Sequence, residues 1–173
     1  TLSEGAVAEV NLHALDWITG VASRLKQGLV ITIDYGHTAA DLYGADRRQG
    51  TLRGYARHSV SDQVLCAVGE QDLTSHVDFT SLARSGTTAG LSVAGFTNQM
   101  SLLMSLDIDR YCAALPEDSL EIHAIAHLLR PHGMGTTFKA LFQHKGLPPV
   151  RLHGLRHTPF FESVLESPLD RTD

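Results

Sequence analysis

The sequence predicts an α/β domain with a mostly parallel sheet, and three observations carry that expectation. Leu12, Leu15, Ile18, Val21, Ala22 and Leu25 recur at helical spacing. Gly28 follows, and then Leu29-Val30-Ile31-Thr32-Ile33-Asp34, a nearly unbroken β-branched run of the kind found in strands covered on both faces. A helix, a glycine turn and a buried strand make the second half of a βαβ unit, and helical and strand patterns keep alternating afterwards.

Taken in order, Val7 to Val10 reads as a short strand, and Asn11 is a good N-cap for a helix over 12–26. Gly28 stands where a C-cap glycine belongs, ahead of the strand 29–34. Residues 37–50, with Gly44, Gly50 and several charges, read as a polar loop. Thr51 to Val60 holds a short strand, and 61–75 looks irregular. Asp78 or Thr80 can cap a helix running to Thr88, which Gly90 ends. Leu91 to Phe96 alternates as a strand does, and Gln99 to Leu106 and Ser119 to Leu129 read as helices, the latter stopped by Pro131. Phe138, Ala140 and Phe142 at period two mark a last strand over Thr136 to His144. The stretch from Gly146 carries four of the six prolines and little periodicity, so residues 1–146 form the domain and 147–173 a tail.

Composition narrows the function classes. The chain of 173 residues is 43% hydrophobic and 19% charged, the profile of an ordinary globular domain. A net charge of −5 and scattered arginines weigh against a nucleic-acid footprint. No apolar run approaches the roughly 20 residues that span a membrane, and the first residues lack the pattern of a signal peptide. Cys66 and Cys112 lie far apart without metal spacing and are expected to be buried free thiols.

Three stretches carry candidate chemistry. In open α/β sheets ligands bind beyond the carboxyl ends of strands, where Asp34, Tyr35 and His37 fall; the plainer reading is that Asp34 caps an amide and Tyr35 packs. In GTLRGYARHSV (50–60), Tyr55 and His58 would converge on a turn but not on a strand. In QDLTSHVDF (71–79), Asp72, Thr74, His76 and Asp78 occupy alternate positions and would share one side of an extended chain. Two carboxylates around an imidazole suit a metal or a proton-transfer histidine held in one tautomer. Equally, such groups satisfy the backbone at a helix start. His13, His123, His127, His144, His153 and His157 read as structural. No GxGxxG, GxxxxGK[ST], GxSxG or HExxH motif is present. Local chemistry alone stops at an α/β domain with a polar cluster at strand ends.

Taken together, IDYG (33–36), GTLRGYARH (50–58), DLTSHVDF (72–79), GLSVAGFTNQ (90–99) and GMGTTFKALFQHKG (133–146) occur in an order that resembles the C-terminal half of the MidA-like S-adenosylmethionine-dependent methyltransferases. That family includes mitochondrial protein-arginine methyltransferases that assist complex I assembly. The resemblance covers about Ala6 to Gly146. It implies a class I methyltransferase, Rossmann-like fold, in which 12–26 is the fourth helix and 29–34 the fifth strand. Leu91–Phe96 and Thr136–His144 would be the sixth and seventh strands, the last antiparallel, and 37–77 an insertion capping the active-site mouth. Thr136, where the family often has Glu, and Leu103 with Asp107-Ile108 depart from its pattern.

The family's cofactor-binding motifs precede this segment, so S-adenosylmethionine is the implied cofactor but is not expected to bind this chain alone. Asp34, His76 and Asp78 are the expected catalytic residues. Tyr35, His37, Tyr55, His58, Asp72 and Thr74 are expected to bind a substrate, plausibly a protein arginine. An unpaired edge on the 29–34 strand attracts another strand, so a homodimer or pairing with the missing N-terminal half is expected. The expected compartment is the cytoplasm, with the mitochondrion as the alternative. Two further readings stand beside the enzyme: a non-catalytic protein-binding module, and a metal-dependent hydrolase using His58, His76, Asp72 and Asp78.

Overall fold

The Asn11 side chain accepts from the Ala14 amide and starts the first helix, α1 (Leu12–Arg24). A computed structural model describes residues 4–57, 59–66, 68–149 and 151–157. Helix α1 ends on Leu25 rather than on Gly28, which instead opens the first strand, β1 (Gly28–His37). The expected strand before α1 is reduced to one bridge between Val7 and Gln49. After β1 come α2 (Ala39–Leu42) and a 3-10 turn (Ala45–Arg47), where a plain polar loop was expected. Thr38 starts α2, its hydroxyl accepting from the Asp41 amide.

Strands β2 (Arg53–Ala56), β3 (Ser59–Ser61) and β4 (Asp72–Thr74) then form a small antiparallel sheet in the order β3-β2-β4. The chain rejoins the main sheet through β5 (Val77–Asp78) and enters α3 (Phe79–Thr88), which ends before Gly90 at φ +91°. Strand β6 (Ser92–Asn98), α4 (Gln99–Ser105), α5 (Ile108–Ala113), α6 (Leu120–Leu128), α7 (Met134–Thr137) and β7 (Phe138–Lys145) complete the order.

The main sheet has the order β5-β1-β7-β6. It is mixed rather than mostly parallel, because β7 runs antiparallel between β1 and β6. Only the short β1–β5 ladder, Gly36 with Val77 and His37 with Asp78, is parallel. Strands β1 and β6 still share a direction, as the alternating helix and strand order suggested; inserting β7 between them turns both long ladders antiparallel. The reversed last strand matches what the family resemblance implied.

One side of the sheet is covered by α1 and α3. Ile18, Ala22, Phe79, Leu82, Ala83, Leu91, Phe96 and Leu141 form the core there. Gln143 reaches into this layer from β7, its Nε2 donating to the Ala83 carbonyl at 3.2 Å, and a Cβ on Gly86 would collide with it. On the other side, Leu155 of the turn His153–Leu155 lies over Gly95 of β6, and Gly154 meets Leu102 of α4. The start of the predicted tail is therefore packed. Strand β1 is left open on that second side. Burial alternates along it, with Leu29, Ile31 and Ile33 at 39%, 53% and 54% exposure. The expectation of a strand covered on both faces fails here. Of the cysteines, Cys66 is exposed and Cys112 half-buried, and both are free.

Candidate functional site

Because strand residues alternate, Tyr35 and His37 share the open face of β1 with Leu29, Ile31 and Ile33. The chain leaves the main sheet at His37 and returns at Val77 directly beside Gly36. That return delivers His76 to the carboxyl end of β1. His37 Nε2 lies 2.9 Å from His76 Nδ1, with ring centroids 5.0 Å apart. Tyr35 meets His76 edge-on at 5.6 Å and Phe138, its cross-strand partner, at 5.8 Å.

The surroundings of both imidazoles favour the neutral form. Burial pushes His37 down from 6.5 to about 4, helped by the nearby charges of Arg47 and Lys139 and opposed by Asp41. Burial, Arg47, Lys139 and Arg53 also lower His76, against Glu9. The hydrogen-bond geometry has a consequence in either tautomer. One ring donates across the 2.9 Å contact and the other accepts. The donor ring then keeps a bare nitrogen on its far side, and the acceptor ring keeps an N–H on its own. The pair therefore offers a proton acceptor at one end and a proton donor at the other.

The loop that carries His76 is tied down by residues that the sequence patterns did not single out. The His76 amide donates to Thr51 Oγ1 at 2.9 Å. The Glu9 carboxylate accepts from the Thr51 amide at 2.8 Å, the Thr51 hydroxyl at 3.0 Å and the Leu52 amide at 3.2 Å. Gly50 has φ +67°, and a Cβ on it would run into that carboxylate. A cleft beside His76 is lined by Glu9, Asn11, Tyr43, Asp78 and Ser81 among others. The turn glycine Gly50 was the one visible sign of this arrangement; its acidic partner lies about forty residues away.

The remaining candidates are distributed as follows. The Asp78 carboxylate is the N-cap of α3, accepting from the Thr80 and Ser81 amides at 3.0 and 3.1 Å and from the Ser81 hydroxyl at 2.6 Å. The Tyr43 hydroxyl also donates to it at 3.3 Å. Asp34 Oδ1 accepts from the Tyr35 amide at 2.8 Å, and alternation puts its side chain on the face opposite Tyr35 and His37. Asp72, Thr74, His76 and Asp78 do not share one side. Asp72 and Thr74 sit in β4 of the small sheet, while Asp78 belongs to β5 of the main sheet, so the alternation breaks between them. Tyr55, 46% exposed, pairs with Val60 and Asp72 in the small sheet. His58 lies outside the described residues. Among the described residues no group of three or more His, Cys, Asp or Glu side chains is placed to hold a metal.

Comparison with known proteins puts this geometry in a family. Residues 1–97 match the family of S-adenosyl-L-methionine-dependent methyltransferases. The mouse protein arginine methyltransferase NDUFAF7, mitochondrial, is 34% identical over 136 residues, which is 73% of this chain and 28% of its own length. The human protein of the same name is 32% identical over 153 residues, covering 82% of this chain and 32% of that protein. A COG1565 superfamily structure from Burkholderia thailandensis, bound to S-adenosyl-homocysteine, superposes with a TM-score of 0.84 at 27% identity. It covers 91% of this chain and 42% of that one. A second crystal structure of a COG1565 superfamily protein from the same organism gives a TM-score of 0.85 at 27% identity, covering 91% of this chain and 43% of that one. The chain thus spans about a third of the curated relatives it matches and under half of the solved neighbours. The family match over more than half of its residues and the superposition over nine-tenths of them agree: this chain belongs to the S-adenosyl-L-methionine-dependent methyltransferases.

Proposed function

We propose that this chain forms the acceptor side of a methyl-transfer cleft and serves a protein-arginine methyltransferase, the activity that the mouse and human relatives' names carry. The observation that supports this most is the His37–His76 pair at the carboxyl end of β1, beside Tyr35. A guanidinium acceptor has to lose one proton when it takes a methyl group. The attacked nitrogen becomes ammonium-like and strongly acidic, so a weak base suffices, provided it is neutral and has a lone pair. A proton taken at the bare nitrogen of the pair can be matched by release from the N–H at its far end, while the shared proton crosses the 2.9 Å contact.

His37 and His76 are therefore the proton-handling residues of the proposal, and Tyr35 shapes the mouth. Asp34 faces the other side of β1, Asp72, Thr74 and Tyr55 belong to the small sheet, and none of them joins the pair, while Asp78 supports it through α3.

The donor's cradle does not fit the residues present. Among the described residues no glycine-rich turn leads from the carboxyl end of a strand into a helix, and no acid follows a second parallel strand to hold ribose hydroxyls. S-adenosylmethionine is taken to need elements beyond this chain, which the exposed Leu29, Ile31 and Ile33 face, and the edge of β1 that β5 pairs only at Gly36 and His37, favour as a place of attachment. The curated relatives' names favour the mitochondrion over the cytoplasm. No described helix is long and apolar enough to cross a membrane.

The test is calorimetry with S-adenosylhomocysteine on the chain alone, and on a chimera joining it to the N-terminal part of the Burkholderia neighbour. No binding by the chain, binding by the chimera, and transfer of labelled methyl to arginine in protein are expected. His37→Asn and His76→Asn in the chimera should each lower the rate by about 10²-fold or more with the cofactor still bound. Tight binding by the chain alone, or unimpaired rates in both variants, would overturn the reading.

A further inference from the structure

We infer that Glu9 is a positioning residue for the histidine pair, acting through the Thr51 hydroxyl. This rests on the reading of that pair given above and names what holds it. The connection is continuous. Thr51 Oγ1 donates to Glu9 Oε2 at 3.0 Å and accepts from the His76 amide at 2.9 Å. Thr51 is only 7% exposed, so its hydroxyl has little water to turn to if either partner leaves. The Glu9 carboxylate also gathers the Thr51 and Leu52 amides, fixing the corner that follows Gly50. Partial burial pushes the Glu9 carboxyl up, but the hydrogen bonds from Thr51 and Leu52 outweigh it and hold the group below its ordinary range. The carboxylate is therefore the form that makes the clasp.

The segment bearing Glu9 is itself anchored to the same loop. The Val7 amide donates to the Arg48 carbonyl at 2.9 Å, and Arg48 Nη2 donates to the Glu4 carbonyl at 3.1 Å. Residues 4–9 thus form a strap across the outside of the turn 47–52, with one carboxylate passing inward to the junction beneath His76. His76 comes from a different part of the loop, yet its ring must stay within 2.9 Å of His37 for the pair to exist. Among the described residues the His76 amide donates to Thr51 Oγ1. A shift of about 1 Å in that backbone would carry the 2.9 Å ring contact beyond hydrogen-bond distance.

The experiment follows the imidazole titrations of His37 and His76 and the exchange of the His76 amide by NMR on the full chain, with no methyl transfer involved. Charged groups near the pair are Arg47 of the 3-10 turn, Lys139 of β7, Asp41 of α2, Arg53 of β2 and Glu9 itself. Thr51→Val changes no charge and keeps the shape. It should raise the His37 midpoint by about one unit or more, as the pair opens to water, and speed His76 exchange about tenfold. Thr51→Ser, which restores the hydroxyl, should restore both. Glu9→Gln should raise His37 in the same direction.

If Glu9 acted only as a distant negative charge, Glu9→Gln would instead lower His76 and leave His37 and the amide unmoved, and the inference would be overturned. Unchanged titrations in Thr51→Val, with the α1 and β7 amides showing an intact fold, would overturn it too. Failure of methyl transfer with these shifts present would remove the functional reading and leave the positioning role standing.

Discussion

At the scale of single residues, carboxylates and imidazoles divide the labour. Asp78 supports α3 by three local hydrogen bonds, so Asp78→Ala should cost about 1–2 kcal/mol in urea unfolding while Asp34→Ala, on the opposite side of β1, costs less. The pair His37–His76 makes a pH prediction with a definite sign. His37 falls from 6.5 to about 4 in the folded chain, so the unfolded chain binds more protons between those values. Stability should therefore fall as pH drops from about 6.5 toward 4. Replacing His37 by Phe should flatten the unfolding midpoint over that window; an unchanged slope would mean that the ring is not buried against its cationic neighbours.

At the scale of elements, much was legible. The β-branched run announced β1, Asn11 announced α1, Asp78 or Thr80 as a cap announced α3, and Phe138, Ala140 and Phe142 at period two announced β7. Local chemistry fixes each of these, which is why a single sequence suffices. The helix α5 went unread because it has six residues and follows Asp107 at φ +59°, a conformation no pattern of neighbours requires. The clasp of Glu9 on Thr51 went unread because its partners are brought together only by folding. The even spacing of Asp72, Thr74, His76 and Asp78 misled for a related reason: alternation holds within one strand, and here Asp72 and Thr74 lie in one sheet, Asp78 in the other, and His76 in the connection between them.

The junction of β1 with β5 depends on Gly36. A Cβ there would collide with the Val77 carbonyl and press on Phe79. Gly36→Ala should cost about 2 kcal/mol and loosen the return that brings His76 to the site, read as loss of the histidine ring contact by NMR.

At the scale of the whole molecule, the sheet has one covered side and one that is open along β1. A contiguous apolar band of this kind attracts a partner, whether a second copy or another part of a longer polypeptide. The chain alone should self-associate in sedimentation, and Ile31→Lys, at an exposed position, should shift it toward monomer with little change in melting temperature. Monomer at all concentrations for the parent chain would show that the band is tolerated by water.

The placement of β7 governs how the domain can be assembled during synthesis. Gly28 pairs with Lys145 and Tyr35 with Phe138, so the longest ladder joins segments roughly a hundred residues apart in the chain. On a ribosome, β1 emerges and then waits roughly ten seconds for its neighbour, given ordinary elongation speeds. Its hydrophobic run must be shielded for that interval, by a holding chaperone or by whatever nascent chain lies alongside.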